Sequence, residues 1–341
     1  MASNFDTQAL TLSEYAVQSN DPLAQKITFS LHKTMNVVQD IPLLTRKTFI
    51  QNGVRFVDNL PGVNWGQLNV PPTITRGKPT PYQEQMYLVR NQFQIDSKFI
   101  GEQNAITNPL DVQIEAWMEA FGYDFNQKFI NNGHSAALGN DPNAPIGLRC
   151  RLDNPSSYGV ISEMKIGAGG IDISTGGLTT ATANGFIGYI QQLLDYMNEP
   201  DGNNVVLYMN DYLKRRFEAS IRQLGAGGGF TMTKDAFDRG VSKYKEAVIR
   251  DVGRQVDQVT RIISPNEDIN GNDGGSGYTS IYGVKYGAES FCGWQWEPLK
   301  PKNLGLDPTN GVAYNTVIDW GVGLWQPHNR SIGRVYGIKI A

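Results

Sequence analysis

Apolar positions along this chain follow three regimes: helical stripes, two-residue alternation, and one long stretch with neither. The strongest stripe follows Asn108-Pro109, where Leu110, Ile114, Trp117, Phe121, Phe125 and Phe129 recur at spacings of 4, 3, 4, 4 and 4. Asn as N-cap and Pro in the first turn predict the start of a spine helix over 109–131, and Asn131-Asn132-Gly133 predicts its exit. At ~1.5 Å per residue the rod is about 33 Å long. A narrower stripe, Leu23, Ile27 and Leu31, follows the start signal Asp21-Pro22, so helices are expected over Leu12–Asn20 and Asp21–Lys33. Nothing before residue 45 supplies these two helices with a partner, which favours an extended arm over ordinary core helices.

Further along, Phe186–Met197 reads as a helix with Phe186, Ile190, Leu193 and Leu194 inward, and Asp211–Gln223 as another. Between them the continuous apolar run Val205–Met209 is expected as a buried strand. Ile146–Leu152, Ile161–Ile166, Tyr244–Val252, Val259–Ile263 and Tyr278–Tyr286 read as strands, as do Phe291–Trp296, Ala313–Leu324 and Ser331–Ile340. Trp294 and Trp296 sit two apart and share a face, as do Ile318 and Trp320. The Gly/Asn/Asp-rich stretch Asn266–Gly277 reads as an exposed loop tip, and Ala226–Gly229 as a flexible loop. This order of elements suits an α+β chain with two sub-domains.

The third regime lies between Arg46 and Ser97. Two strand-like flanks, Gly53–Asn59 and Gln85–Asp96, enclose a segment carrying Pro61, Gly62, Gly66, Pro71, Pro72, Gly77, Pro79 and Pro81. Prolines fix φ and delete donors, so the middle reads as an extended, turn-rich loop. Gln92–Asp96 alternates polar and apolar, the mark of a half-buried strand, and Val54 and Phe56 are expected to face it. A two-stranded ribbon is marginal alone in water, and a loop this long inside a compact domain needs an outside support. The simplest support is a second copy of the chain, with Arg55, Trp65, Arg76, Lys78 and Tyr82 as the expected inter-subunit contacts.

Composition narrows the function. Charged residues make up only 18% of the 341, below the usual quarter, which fits a surface partly hidden against neighbours. The net charge of −3 excludes the broad basic footprint of a dedicated nucleic-acid binder while leaving room for local contacts. Cys150 and Cys292 are far apart and outside any C-x-x-C pair, so they read as buried small hydrophobes. The N-terminal residues carry no secretory pattern, and no run approaches a membrane span.

Reactive constellations are thin. His32, His134 and His328 stand alone, and Glu115 and Glu119 read as a solvated helix face. Gly225–Gly229 follows a helix instead of opening one, and Gly77-Lys78 is followed by Pro79, so neither is a phosphate loop. Asp268–Asp273 resembles the front of a calcium loop but has Asp273 where Gly is required and Thr279 where Glu is required. Catalysis is not indicated, and no cofactor or metal is expected.

Several phrases then carry a resemblance. Phe129-Ile130-Asn131-Asn132-Gly133 is similar to a family's spine-helix exit, and Ala144-Pro145-Ile146-Gly147-Leu148 to its following turn. Val205–Asn210 with a helix behind it, and the closing strand Ser331–Lys339, match in order. The chain resembles tailed-bacteriophage major capsid proteins of the Hong Kong 97-type shell fold. That resemblance implies an N-terminal arm (1–45), an extended β-hairpin loop or E-loop (46–98), a peripheral domain (99–180 and 286–341) and an axial domain (181–285). It implies a structural, non-enzymatic protein of the virion, assembled in the host cytoplasm into hexameric and pentameric capsomers around double-stranded DNA. Implied partners are further copies of the chain, a portal protein, packaged DNA held by weak non-specific contact, and a decoration protein in some relatives. The arm begins within the first dozen residues, which implies a separate scaffolding protein. Some relatives crosslink through a Lys–Asn isopeptide bond, for which Lys78 is the donor candidate. An encapsulin-type compartment shell shares this outline, and a soluble oligomeric α/β enzyme stands as the reading from another class.

Overall fold

The computed structural model describes residues 36–55, 61–71, 73–77, 79–100, 109–133, 140–225, 230–234, 240–307 and 311–341. The arm helices expected before residue 34 therefore lie outside the described residues, as do Phe56, Lys78, Asn108, His32, His134 and Ala226–Gly229. The helices are α1 (Asn36–Asp40), α2 (Ser97–Ile100), α3 (Pro109–Asn131), α4 (Leu148–Asp153), α5 (Pro155–Tyr158), α6 (Thr180–Tyr196) and α7 (Asp211–Gln223). The strands are β1 (Leu43–Thr45), β2 (Ile50–Arg55), β3 (Thr80–Gln85), β4 (Tyr87–Asp96), β5 (Lys165–Asp172), β6 (Val205–Met209) and β7 (Phe230–Lys234), followed by β8 (Gly240–Tyr244), β9 (Ala247–Asp251), β10 (Tyr278–Lys285), β11 (Cys292–Gln295), β12 (Pro301–Leu306), β13 (Ala313–Trp325) and β14 (Ile332–Lys339).

Among the described residues three sheets result. A five-stranded sheet runs β1-β11-β13-β12, with β4 also paired to the long β13. A seven-stranded sheet runs β5-β14-β10-β6-β9-β8-β7, and β2 pairs only with β3. The seven-stranded sheet crosses the boundary drawn at 181–285, since β5 and β14 come from outside it. One apolar core links the two larger sheets, from Val37 and Ile41 through the spine helix to Phe217 and Val335.

The spine helix α3 buries Ile114, Phe121, Phe125 and Phe129, with Trp117 half-buried, as its spacing implied. Its rings meet the sheet: Trp320 stands edge-on to Phe121 at 5.9 Å, and Phe93 of β4 edge-on to Trp117 at 6.2 Å. The exit is held by buried Asn132, whose amide donates to the carbonyls of Asp141, Ala144 and Pro145 at 3.0–3.1 Å. Gly133 has φ +79, and a Cβ on Gly147 would lie 2.7 Å from the Asn132 nitrogen, so both glycines are required by the turn.

Several local expectations are corrected. The ribbon partners are β2 and β3; the strand 87–96 instead pairs with β13, Phe93 opposite Thr316 and Val89 opposite Trp320. Burial explains the switch, because Val89 and Phe93 pack on the core while Val54, opposite Pro81, is exposed. Ile146–Leu152 is not a strand: α4 occupies 148–153 and buries Arg149 and Arg151 together with Leu148, Cys150 and Leu152. The alternation of apolar and charged residues mimicked a half-buried strand, whereas ion pairs allow the helix to bury both arginines. The strand expected at 161–166 lies later, at 165–172, after a short 3₁₀ turn. Tyr244–Val252 is the hairpin β8–β9, turning at Lys245 with φ +51. Val259–Ile263 makes no ladder; buried Ile262 and Ile263 offer their carbonyls to Asn131 and Asn210 side chains at 2.7 and 3.2 Å. Strand β12 was not foreseen, since it opens on Pro301 and carries a bulge near Gly305 with φ +82.

Candidate assembly interface

Where the ribbon leaves the body, its base is bolted down. Arg151 of α4, 1% exposed, forks onto Glu84 of β3, with Nη1 donating to Oε1 at 2.5 Å and Nη2 to Oε2 at 3.0 Å. That guanidinium also donates to the Ile146 carbonyl at 3.1 Å and to Gln326 at 3.3 Å. Tyr82 stacks on Trp325 with ring centres 4.6 Å apart. Gly53 lies beneath this pair: a Cβ there would come within 2.6 Å of the Tyr82 ring and 2.7 Å of Trp325. Close backbone approach, not a turn, demands that glycine. The Met86 amide donates to the Phe49 carbonyl at 2.7 Å and closes the ribbon.

Beyond Thr80 the chain loses contact with the body. Residues 61–71, 73–76 and 79–81 are exposed wherever described, and only Gly77 is half-covered. The segment bonds to itself: the Thr75 hydroxyl donates to the Gly62 carbonyl at 2.8 Å, and Asn69 turns the chain with φ +67. Val63 is 83% exposed, Leu68 92%, and Trp65 and Ile74 both 96%. Pro61–Thr75 holds no charged residue. Large apolar side chains are ordinarily buried, so four this bare along one segment single it out as a candidate surface for a partner.

The expected contact residues divide accordingly. Trp65 and Arg76 sit on the exposed tip, while Tyr82 belongs to the base and is half-buried against Trp325. Arg55 ends β2 opposite Thr80 with its side chain outside the described residues, and Lys78 is likewise outside them. Glu84, Arg151, Trp325 and Gly53 escaped the sequence reading. The one available signal was Arg151 inside an apolar run.

A second charged cluster holds the loop Asn266–Gly277, which is therefore not the free tip its composition implied. Arg334, fully buried, reaches Glu267 at 3.1 Å, and both Arg334 and Arg149 donate to the Gly271 carbonyl, at 2.6 and 2.9 Å. Arg149 also pairs with Asp273 at 2.7 Å, and Ser280 donates to Glu267. Burial pushes the Glu267 carboxyl up, and the two guanidinia only partly offset this. Farther off, Asp40 at the end of α1 accepts from Tyr208 at 3.1 Å and pairs with Arg250 at 3.2 Å, its carboxyl raised by burial. Asp268 turns inward on Asn270 and Asn272, so its carboxylate is engaged within its own loop. Among the described residues, no group of three His, Cys, Asp or Glu is placed to hold a metal. No helix among them is long and apolar enough to cross a membrane.

No family model matches the sequence, and no curated protein matches it either. Its fold has counterparts among solved structures. The holo-SrpI encapsulin complex from Synechococcus elongatus PCC 7942 has a TM-score of 0.55 at 9% identity, over 88% of this chain and 85% of that one. The capsid of a native GTA particle has a TM-score of 0.54 at 11% identity, over 92% of this chain and 91% of that one. The capsid of cyanophage P-SCSP1u has 0.50 at 9% identity, over 88% and 86%. At such identities the likeness is one of fold, and it spans nearly the whole chain in each case. The chain has the α+β shell fold shared by phage capsids of the Hong Kong 97 type and by encapsulins, as the order of its elements implied.

Proposed function

We propose that this chain is a phage major capsid protein that assembles through hexameric and pentameric capsomers into an icosahedral head around double-stranded DNA. The observation that carries this reading is the uncharged ribbon tip, whose Val63, Trp65, Leu68 and Ile74 face solvent in the lone chain. A shell fold supplies the covering surface, because each copy lays its ribbon over the next. Fully covering four such side chains contributes on the order of 6–12 kcal/mol per subunit before ordering costs. Each contact is head-to-tail, so a fitting rotation closes it into rings.

Under this reading 46–98 is the extended loop, 99–180 with 286–341 the peripheral domain, and 181–285 the axial domain near the capsomer centre. The virion is its final location. A scaffolding protein, a portal protein and a decoration protein are the further partners, and the acidic chain touches packaged DNA only weakly. Deleting Gly62–Thr80 tests the assignment: soluble subunits that form no stable shells are expected, and wild-type-like particles overturn it. The encapsulin likeness, with a TM-score of 0.55, supports a second reading as a protein-enclosing compartment. Electron microscopy and content analysis of particles made with their genomic neighbours separate the two, nucleic acid favouring the first and a protein cargo the second.

A further inference from the structure

We propose that the Arg151–Glu84 fork is the positioning device that aims the ribbon, so that assembly depends on it beyond the part it has in folding the body. The inference rests on the ribbon being the inter-subunit element. Its physical basis is leverage. From Glu84 to the turn at Gln67 there are roughly 17 residues, which at no more than ~3.3 Å each set the tip at most about 55 Å from the bolt. An angular error of about 10° at the base then displaces the tip by up to roughly 10 Å, enough to miss any specific site on a neighbour.

Other restraints act nearer the root: the Trp294 indole donates to the Thr48 carbonyl at 3.2 Å, Phe49 packs on Trp296 with ring centres 4.9 Å apart, and β4 pairs with β13 from Tyr87 onward. Among the described residues β2 pairs with no strand but β3, and every described residue from Pro61 to Arg76 is exposed. The Tyr82–Trp325 stack holds one face, but flat rings slide and rotate at small cost. Two parallel N–H···O bonds between planar groups fix direction as well as distance. The fork is itself held, because α4 buries Arg151 and the Ile146 carbonyl and Gln326 accept two further N–H bonds from it. Tyr158 lies beneath the guanidinium, 5.8 Å from ring centre to charge. A buried charge pair is a poor way to gain stability but a good way to specify a single arrangement.

The test uses the full chain as unassembled subunit and as particle. Spin labels at Gln67→Cys and Asp195→Cys, in a background where Cys150 and Cys292 are buried, report the tip-to-body distance by pulsed electron resonance. The native pair is expected to give one narrow distribution. Glu84→Gln, which keeps shape but loses the charge-assisted fork, is expected to broaden it at least two-fold, and Glu84→Ala more. Particle yield should fall at least ten-fold in both, with surviving particles heterogeneous in diameter. Phe217→Leu, in the core far from the ribbon, is the matched control: it lowers the melting temperature yet leaves the distribution narrow. An unchanged distribution in both Glu84 variants overturns the proposal, as does equal broadening in the control. Broadening with undiminished, uniform particles overturns the link to assembly. Because the distance is read on free subunits, it stands apart from the Gly62–Thr80 deletion, whose failure would sink the ribbon's role without touching the bolt.

Discussion

In the body, Arg149, Arg151 and Arg334 are at most 2% exposed, whereas at the ribbon tip Trp65, Leu68 and Ile74 are more than nine-tenths exposed. Each region inverts the usual distribution of residue types, and for a different reason. The body can hide charge because every guanidinium finds a carboxylate or carbonyl: Glu84 for Arg151, Glu267 and Gly271 for Arg334, Asp273 for Arg149. The tip shows apolar surface that no described residue covers, and on the proposed function a neighbouring copy covers it. Local satisfaction defines the first region and, on that reading, outside satisfaction the second. That contrast separates what this subunit needs to fold from what it needs to assemble.

The largest effect should come from breaking the body's charge network. Arg334→Met leaves Glu267 buried with a weakened partner set and should lower unfolding stability by about 3–5 kcal/mol, read by denaturant titration of the subunit. Replacing Glu267 by Leu in the same chain should recover much of that loss, since two apolar groups leave no orphaned charge. If the single variant is as stable as the parent, the network is not what holds the Asn266–Gly277 loop.

A smaller effect of opposite character is expected at the tip. Trp65→Ser with Ile74→Ser removes side chains that are 96% exposed and packed on no described part of the body, so subunit stability should move by no more than ~0.5 kcal/mol. The concentration required for assembly should rise at least ten-fold, measured by light scattering or sedimentation. A marked loss of subunit stability would mean that the tip packs on its own body.

The smallest effect concerns pH and sharpens the view of the body alone. Burial raises the Asp40 and Glu267 carboxyls above their ordinary values of 3.8 and 4.5. As pH falls from neutral towards those values, the folded chain takes up protons there before the unfolded chain does, so these groups favour folding on mild acidification. Asp172 works the other way. Its bond from Lys339, with help from Ser174, holds it at about 2, so its contribution is intact above 3.8 and lost as pH falls towards 2. Melting temperature should therefore hold or rise slightly from neutral to about pH 5 and decline below about pH 4. A steady decline beginning at neutral pH would contradict the assignment of Asp40 and Glu267.

Long-range order was legible where one signal dominated. The spine helix and β6 followed from an unbroken stripe and an apolar run, each a local cause with a local effect. The extended loop was legible for the same reason, because prolines and glycines act residue by residue. What sequence reasoning missed depended on partners distant in the chain. Glu84 meets Arg151 across 67 residues, and Arg149 meets Asp273 across 124, so nothing near either residue announces the pair. The misreading of α4 as a strand followed from this, since its arginines looked solvated until their carboxylates were in place. β4 was assigned to the ribbon because alternation reveals a face but not which edge it will join.

The central claim is that the ribbon tip is bare in the subunit and covered in the shell. Hydroxyl-radical footprinting of Trp65, in free subunits and in assembled particles of the same chain, tests it directly. Rapid oxidation in the subunit and at least ten-fold protection in the particle are expected. Equal oxidation in both states, or protection already present in the lone subunit, would contradict it.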